Sequence, residues 1–147
     1  IVSNIVIDSR KAGKDSAFVA IVGENLDGHN FINLAINQGC KTIIKNKNNN
    51  VDIENKEVNV IEVSDTEIAL GDIAKFYKNK FKIPFIAVTG SVGKTTTRDM
   101  VYSTISAKYN SLKNVGNLNN QFGVPLTLFN LNKEHECWIF SCGTSWK

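Results

Sequence analysis

The chain has 147 residues, 42 % apolar and 21 % charged, with a formal net charge of +3. That balance belongs to globular domains, and the length suits one domain or a small domain plus part of another. The lysines are dispersed, with no arginine-rich or aromatic-interleaved stripe of the kind that binds nucleic acid, and no apolar run nears the ~20 residues of a membrane-spanning helix.

Residues 1–83 read as a small α/β unit. Ile5-Val6-Ile7 is a short strand that ends at Asp8-Ser9-Arg10. Residues 17–22 form a nearly continuous apolar run, as in a strand buried on both faces, ending at Gly23. After a polar loop, Phe31, Leu34 and Ala35 share a helical face, and Gly39 stands where a helix-terminating glycine is expected. Thr42-Ile43-Ile44 is the next strand, followed by a polar surface loop over residues 45–50. Residues 58–63 alternate as a half-buried strand. Ser64-x-x-Glu67 predicts a capping box opening a helix with Ala69, Ile73, Phe76 and Tyr77 along one face. That helix must stop before Pro84.

A second unit starts at Pro84 and runs to residue 147. Its first strand, residues 85–89, leads into Thr89-Gly90-Ser91-Val92-Gly93-Lys94-Thr95-Thr96, and a helical pattern follows to Lys108. Strand, Gly-rich turn and helix N-terminus together aim several backbone N–H groups at one phosphate chain. Gly90, Ser91, Val92, Gly93, Lys94, Thr95 and Thr96 are therefore the candidate phosphate-binding residues. Lys94 is the candidate catalytic charge on the outer phosphates, and the Thr95 hydroxyl is the candidate Mg²⁺ ligand. The full G-x-x-x-x-G-K-[ST] pattern would need a glycine at Val88, so this is a shorter variant. Ser111-Leu112 is a short strand. Asn117, Asn119 and Asn120 lie in an amide- and glycine-rich loop ahead of Pro125, which suits the first turn of a helix reaching about Leu131. Residues 137–141 are a buried strand expected beside residues 85–89. Strands joined by helical crossovers predict α/β architecture with parallel sheets, and ligands in such sheets gather at the carboxyl ends of strands.

Other residues allow two readings. Asp8-Ser9-Arg10 is either a polar-ligand site or a turn with a surface ion pair. His29, in Asp27-Gly28-His29-x-Phe31, is either a phosphate contact or part of a helix cap. The three asparagines are either substrate-positioning amides or turn chemistry. Three cysteines, Cys40, Cys137 and Cys142, form no zinc spacing with His135, and residues 1–7 lack the charged start and apolar core of a secretory signal. Reduced thiols in a cytoplasm are expected. The chain starts at Ile1 rather than methionine and ends just after a strand-like run, so a fragment of a longer protein is expected.

Taken together these segments resemble the Mur ligases, ATP-dependent amide-forming enzymes of peptidoglycan precursor synthesis. Asp8-Ser9-Arg10, Phe18-Val19-Ala20-Ile21-x-Gly23 and Asp27-Gly28-His29-x-Phe31 are similar to their amino-terminal UDP-binding domain. Residues 89–96 resemble the start of their central ATPase domain. Gly116-Asn117-x-Asn119-Asn120-x-x-Gly123-Val124-Pro125-Leu126-Thr127 most resembles the branch that joins D-alanyl-D-alanine to UDP-N-acetylmuramoyl-tripeptide.

The resemblance implies a UDP-sugar-binding domain over residues 1–83 and the first part of an ATPase domain over residues 84–147. It implies ATP and Mg²⁺ as cofactors, an acyl-phosphate intermediate, and no nucleic acid or membrane partner. It assigns Asp8, Ser9, Arg10 and His29 to the UDP end of the substrate, and Asn117, Asn119 and Asn120 to its muramoyl or phosphate portion. The sister branch adding a diamino acid is the nearest alternative, and a P-loop regulator without ligase activity is another. One position departs from the family pattern: a magnesium-binding glutamate is expected where Ser141 stands. The chain also stops before the family's carbamylated lysine and third domain.

Overall fold

The computed structural model describes residues 2–53, 55, 57–115 and 118–143. They fall into two compact units, residues 1–70 and 71–147.

The first unit is built on four parallel strands, β1 (Asn4–Val6), β2 (Ser16–Val19), β3 (Thr42–Asn46) and β4 (Asn59–Val63), lying side by side in chain order. A 3₁₀ turn, Ser9–Lys11, joins β1 to β2. A second, Gly28–Phe31, runs into helix α1 (Ile32–Asn37) on the way to β3. All four β2 residues are buried, as the apolar run predicts for a strand covered on both faces. Phe18, Ile32, Ala35 and Ile43 form the centre of the core, with Val6, Ala20, Ile36 and Cys40 around them. Helix α1 ends as the sequence predicts: Gly39 takes φ +95°, its N–H bonds Ile36 O at 2.8 Å, and Cys40 N–H bonds Ala35 O at 3.1 Å.

Two local expectations are corrected. The strand expected over residues 17–22 leaves the ladder at Val19. Ala20 N–H still bonds Ile44 O at 2.9 Å, but Ile21 O then accepts from Gly28 N–H at 2.8 Å and Val22 bridges antiparallel to Asp27. The apolar run is thus spent on a strand and on the floor of a returning loop. The capping box is also displaced by one residue. Helix α2 (Thr66–Lys78) is opened by Asp65, whose carboxylate accepts from Glu67 N–H at 2.8 Å and Ile68 N–H at 3.1 Å. Thr66 is buried, donating from Oγ1 to Ala20 O at 2.8 Å and from its N–H to Asn46 Oδ1 at 2.9 Å. Anchoring Thr66 in this way sets where the helix begins.

The return of the loop onto Ile21 depends on Gly28. A Cβ there would lie 2.7 Å from both Ile21 N and Ile21 O. Gly28→Ala is therefore expected to destabilise this unit by about 1–3 kcal/mol through forced backbone movement, to be read as a lowered midpoint in chemical denaturation.

The second unit contains β5 (Phe85–Val88), α3 (Lys94–Ser106), β6 (Ser111–Lys113), α4 (Gly123–Leu128) and β7 (Cys137–Ser141). The strands are parallel in the order β5-β7-β6, so the last strand enters between the first two, beside β5 as expected. Trp138 and Phe140, two apart on β7, point to one face and stack at 4.2 Å, with Phe85 edge-on to Trp138 at 5.6 Å. Val124 and Leu128 of α4, Leu131 and Ala74 complete that core. Ser141 Oγ approaches Arg98 of α3.

Candidate functional site

The loop after β5 has the backbone that its glycines permit. Gly90 adopts φ +149° and Gly93 φ +76°, both in the left-handed range that favours glycine. The first helical bond of α3 runs from Thr97 N–H to Gly93 O at 2.9 Å. The N–H groups of Lys94, Thr95 and Thr96 therefore precede the intrahelical ladder and form a donor cluster at the positive end of the helix dipole. Lys94 folds back over the loop, its Nζ donating to Gly90 O at 2.6 Å. Ser91, Val92, Thr95 and Thr96 are exposed on the rim. Such a cradle suits a chain of phosphates.

Three strand-end segments meet beside it. Val88 pairs with Ser141 in register, and Cys142 N–H bonds Val88 O at 3.1 Å. Gly143 N–H bonds Asn119 O at 2.9 Å, so the loop before α4 is tied to the end of β7. Asn119 thus contributes its main-chain carbonyl to this edge. Asn120 spends its carboxamide oxygen on the start of α4, accepting from Gly123 N–H at 2.8 Å and Phe122 N–H at 3.3 Å. For Asn120, turn chemistry is what the geometry displays. Asn117 lies outside the described residues.

Beneath this edge is a buried polar cluster that sequence reasoning missed. Asn114, fully buried just past β6, makes four hydrogen bonds. Its Oδ1 accepts from Ser141 N–H at 3.0 Å and Arg98 Nη1 at 3.2 Å. Its Nδ2 donates to Leu118 O at 2.7 Å and Ser141 O at 3.1 Å. The side chain thus pairs with β7 as a peptide group would, one residue beyond the end of the β6 ladder. Arg98 is 2 % exposed and also reaches Ser141 Oγ at 3.4 Å and Asp99 Oδ1 at 2.9 Å. Hydrogen bonds from Lys113 and then Arg98 hold the Asp99 carboxyl below the usual carboxylate range. The available signal was spacing: Arg98 follows Lys94 by one helical turn, which points it along the same side of α3.

In the first unit the candidate residues follow the carboxyl ends of β1 and β2. Asp8 caps the 3₁₀ turn, accepting from Arg10 N–H at 3.0 Å and from the Arg10 guanidinium at 3.0 and 2.8 Å. Those bonds from Arg10 lower the Asp8 pKa to about 2. Ser9 is buried, whereas the Arg10 side chain is 83 % exposed.

At His29 the geometry displays the cap alternative, with Asp27 accepting from the His29 N–H at 2.9 Å. His29 is 1 % exposed, its Nδ1 lies 2.6 Å from Asp27 Oδ1, and its Nε2 accepts from Asn46 N–H at 3.0 Å. Both ring nitrogens are engaged inside the unit, which selects the neutral Nδ1–H tautomer and leaves no nitrogen for a phosphate. The loop carrying Asp27 is thereby tied to the end of β3. Burial raises the Asp27 carboxyl, but bonds from the His29 N–H and ring more than offset this, so it titrates below its ordinary 3.8. A depressed carboxyl stabilises the fold above its unfolded value, and that contribution is lost as pH falls through the lower folded value. Wild-type stability should therefore decline more steeply below about pH 4 than that of Asp27→Asn, as measured by denaturation across a pH series.

Two family models match the chain: "Mur ligase family, catalytic domain" over residues 1–78 and "Mur ligase middle domain" over residues 88–145. The chain belongs to the Mur ligase family. A relative from Buchnera aphidicola (subsp. Acyrthosiphon pisum), a UDP-N-acetylmuramoyl-tripeptide–D-alanyl-D-alanine ligase, is 36 % identical over 99 % of this chain and 31 % of its own length. The crystal structure of MurF from Acinetobacter baumannii superposes with a TM-score of 0.86 at 37 % identity, over 96 % of this chain and 30 % of that one. MurF ligase from Thermotoga maritima in complex with ADP gives 0.84 at 29 % identity, over 97 % of this chain and 32 % of that one. The chain spans about a third of the length of these Mur ligases. Among the described residues no helix is long and apolar enough to cross a membrane.

For a Mur ligase the expected Mg²⁺ can be tested against the donors present. Among the described residues no three His, Cys, Asp or Glu side chains are grouped to hold a metal ion. At the end of β7 the hydroxyl of Ser141 faces the Arg98 guanidinium. Thr95 remains as a neutral donor on the rim. A divalent cation is poorly served by a neutral hydroxyl beside a fixed positive charge, so these residues do not fit a protein-held Mg²⁺.

Proposed function

We propose that this chain is the substrate-binding and nucleotide-binding portion of an ATP-dependent ligase that joins D-alanyl-D-alanine to UDP-N-acetylmuramoyl-tripeptide in the cytoplasm. The observation that carries the reading is the phosphate cradle of residues 89–96 at the carboxyl edge of a parallel sheet. Likeness to relatives bearing that ligase name, one of them an ADP complex, supports it.

In this reading residues 90–96 hold the nucleotide phosphates. Main-chain N–H groups and Lys94 offset negative charge as the terminal phosphoryl group passes to the tripeptide carboxylate. The dipeptide amine then displaces phosphate from the acyl phosphate. Asp8, Ser9 and Arg10 receive the UDP end of the substrate. Arg10 is the exposed donor, and Asp8 presets its guanidinium. His29 acts as a positioning residue through Asp27 and Asn46. Asn117 and Asn119 belong to the loop that addresses the muramoyl or phosphate portion.

The full-length protein should release phosphate when given ATP, UDP-N-acetylmuramoyl-tripeptide and D-alanyl-D-alanine, and not when a free diamino acid replaces the dipeptide. The reverse preference would assign the chain to the diamino-acid-adding branch. Release that ignores the UDP-sugar would favour a P-loop regulator.

A further inference from the structure

In P-loop sites the metal that accompanies the nucleotide is shared between the loop hydroxyl and an acidic side chain at the end of a neighbouring strand. The neighbouring strand here is β7, and the residue in register with Val88 is Ser141. Ser141 is fully buried, and its surroundings are already arranged. Asn114 takes its main-chain N–H and C=O, and Arg98 lies 3.4 Å from its Oγ. The acidic residue nearest the 89–96 loop in sequence, Asp99, is committed to Arg98 and Lys113. The place of a metal-facing carboxylate is thus taken by a neutral hydroxyl that faces a buried guanidinium.

We propose that nucleotide binding by this chain is independent of divalent metal. Lys94, the amino end of α3 and the Arg98 guanidinium beneath the strand ends supply the positive field, and among the described residues any Mg²⁺ travelling with the nucleotide meets only neutral rim hydroxyls such as that of Thr95. The inference rests on the nucleotide reading of residues 89–96. Titration of the full-length protein with ADP and with ATP, each in Mg²⁺ and in EDTA, tests it. The expected Kd values differ by less than about threefold between the two conditions. In Ser141→Glu a carboxylate is restored beside the loop, and chelation should then weaken binding by about tenfold or more. Ser141→Ala should behave as wild type and keeps the comparison usable if the glutamate variant fails to fold. A tenfold loss on chelation in the wild-type protein overturns the inference and leaves the nucleotide site standing. No binding of either nucleotide in either condition overturns both.

Discussion

Lys94→Ala in the full-length protein is expected to lower ATP-dependent turnover by about 10²–10³-fold, the usual loss when one preorganised charge-stabilising donor is removed from a transferring group. Lys94 stands at the first position of α3, directly after the left-handed Gly93, and its Nζ already lies over the loop at 2.6 Å from Gly90 O. No other lysine or arginine lies within residues 89–97. The main-chain N–H groups remain in the variant, so nucleotide affinity should weaken while some binding persists. The fold should be unaffected, because Lys94 is only half-buried and its Nζ bonds to its own loop. Steady-state kinetics paired with a thermal melt would separate these effects. Unchanged turnover would remove the phosphate-loop assignment.

Asn114→Ala is expected to be the most destabilising single change in the second unit. The substitution deletes four hydrogen bonds, one of them from a guanidinium, and orphans the main-chain groups of Ser141 and the carbonyl of Leu118. At about 1 kcal/mol per neutral bond and more for the charged one, the loss is roughly 3–5 kcal/mol. Stability losses that large are exceptional for one residue. Asn114→Asp would retain the acceptors and lose the donors to Leu118 O and Ser141 O, giving a smaller but still clear loss. Because the same amide ties β7 to the loop containing Leu118, nucleotide binding should fall in parallel with the denaturation midpoint.

The sequence was informative wherever one short segment settled its own conformation. The turn at Gly39, the Gly90 and Gly93 loop, and the placement of β7 beside β5 are all local signals or follow from alternation of strands and helices. Errors arose where a distant partner decided. Ser64 and Asp65 are both good caps by type, and the burial of Thr66 against Ala20 and Asn46 selected the second. His29 allows two readings from sequence, and Asn46, 17 positions away, takes the ring nitrogen that Asp27 leaves. Arg98 and Asn114 gave no motif at all. Their role comes from Ser141, 43 and 27 positions later, whose main-chain and hydroxyl groups needed partners away from water. Satisfaction of buried polar groups is a tertiary property, and no sequence window contains both sides of it.

The glutamate expected at position 141 shows a related point. A single substitution in a motif reads only as a missing ligand. The structure adds what faces that position, a buried guanidinium held by Asn114 and Asp99.

Product analysis of the complete protein tests the proposed ligase activity. With ATP, UDP-N-acetylmuramoyl-tripeptide and D-alanyl-D-alanine, mass spectrometry should find the two substrates condensed with loss of one water, and one ADP formed per condensation. ADP formation that proceeds without the UDP-tripeptide, or ADP with no condensed product, would contradict the account.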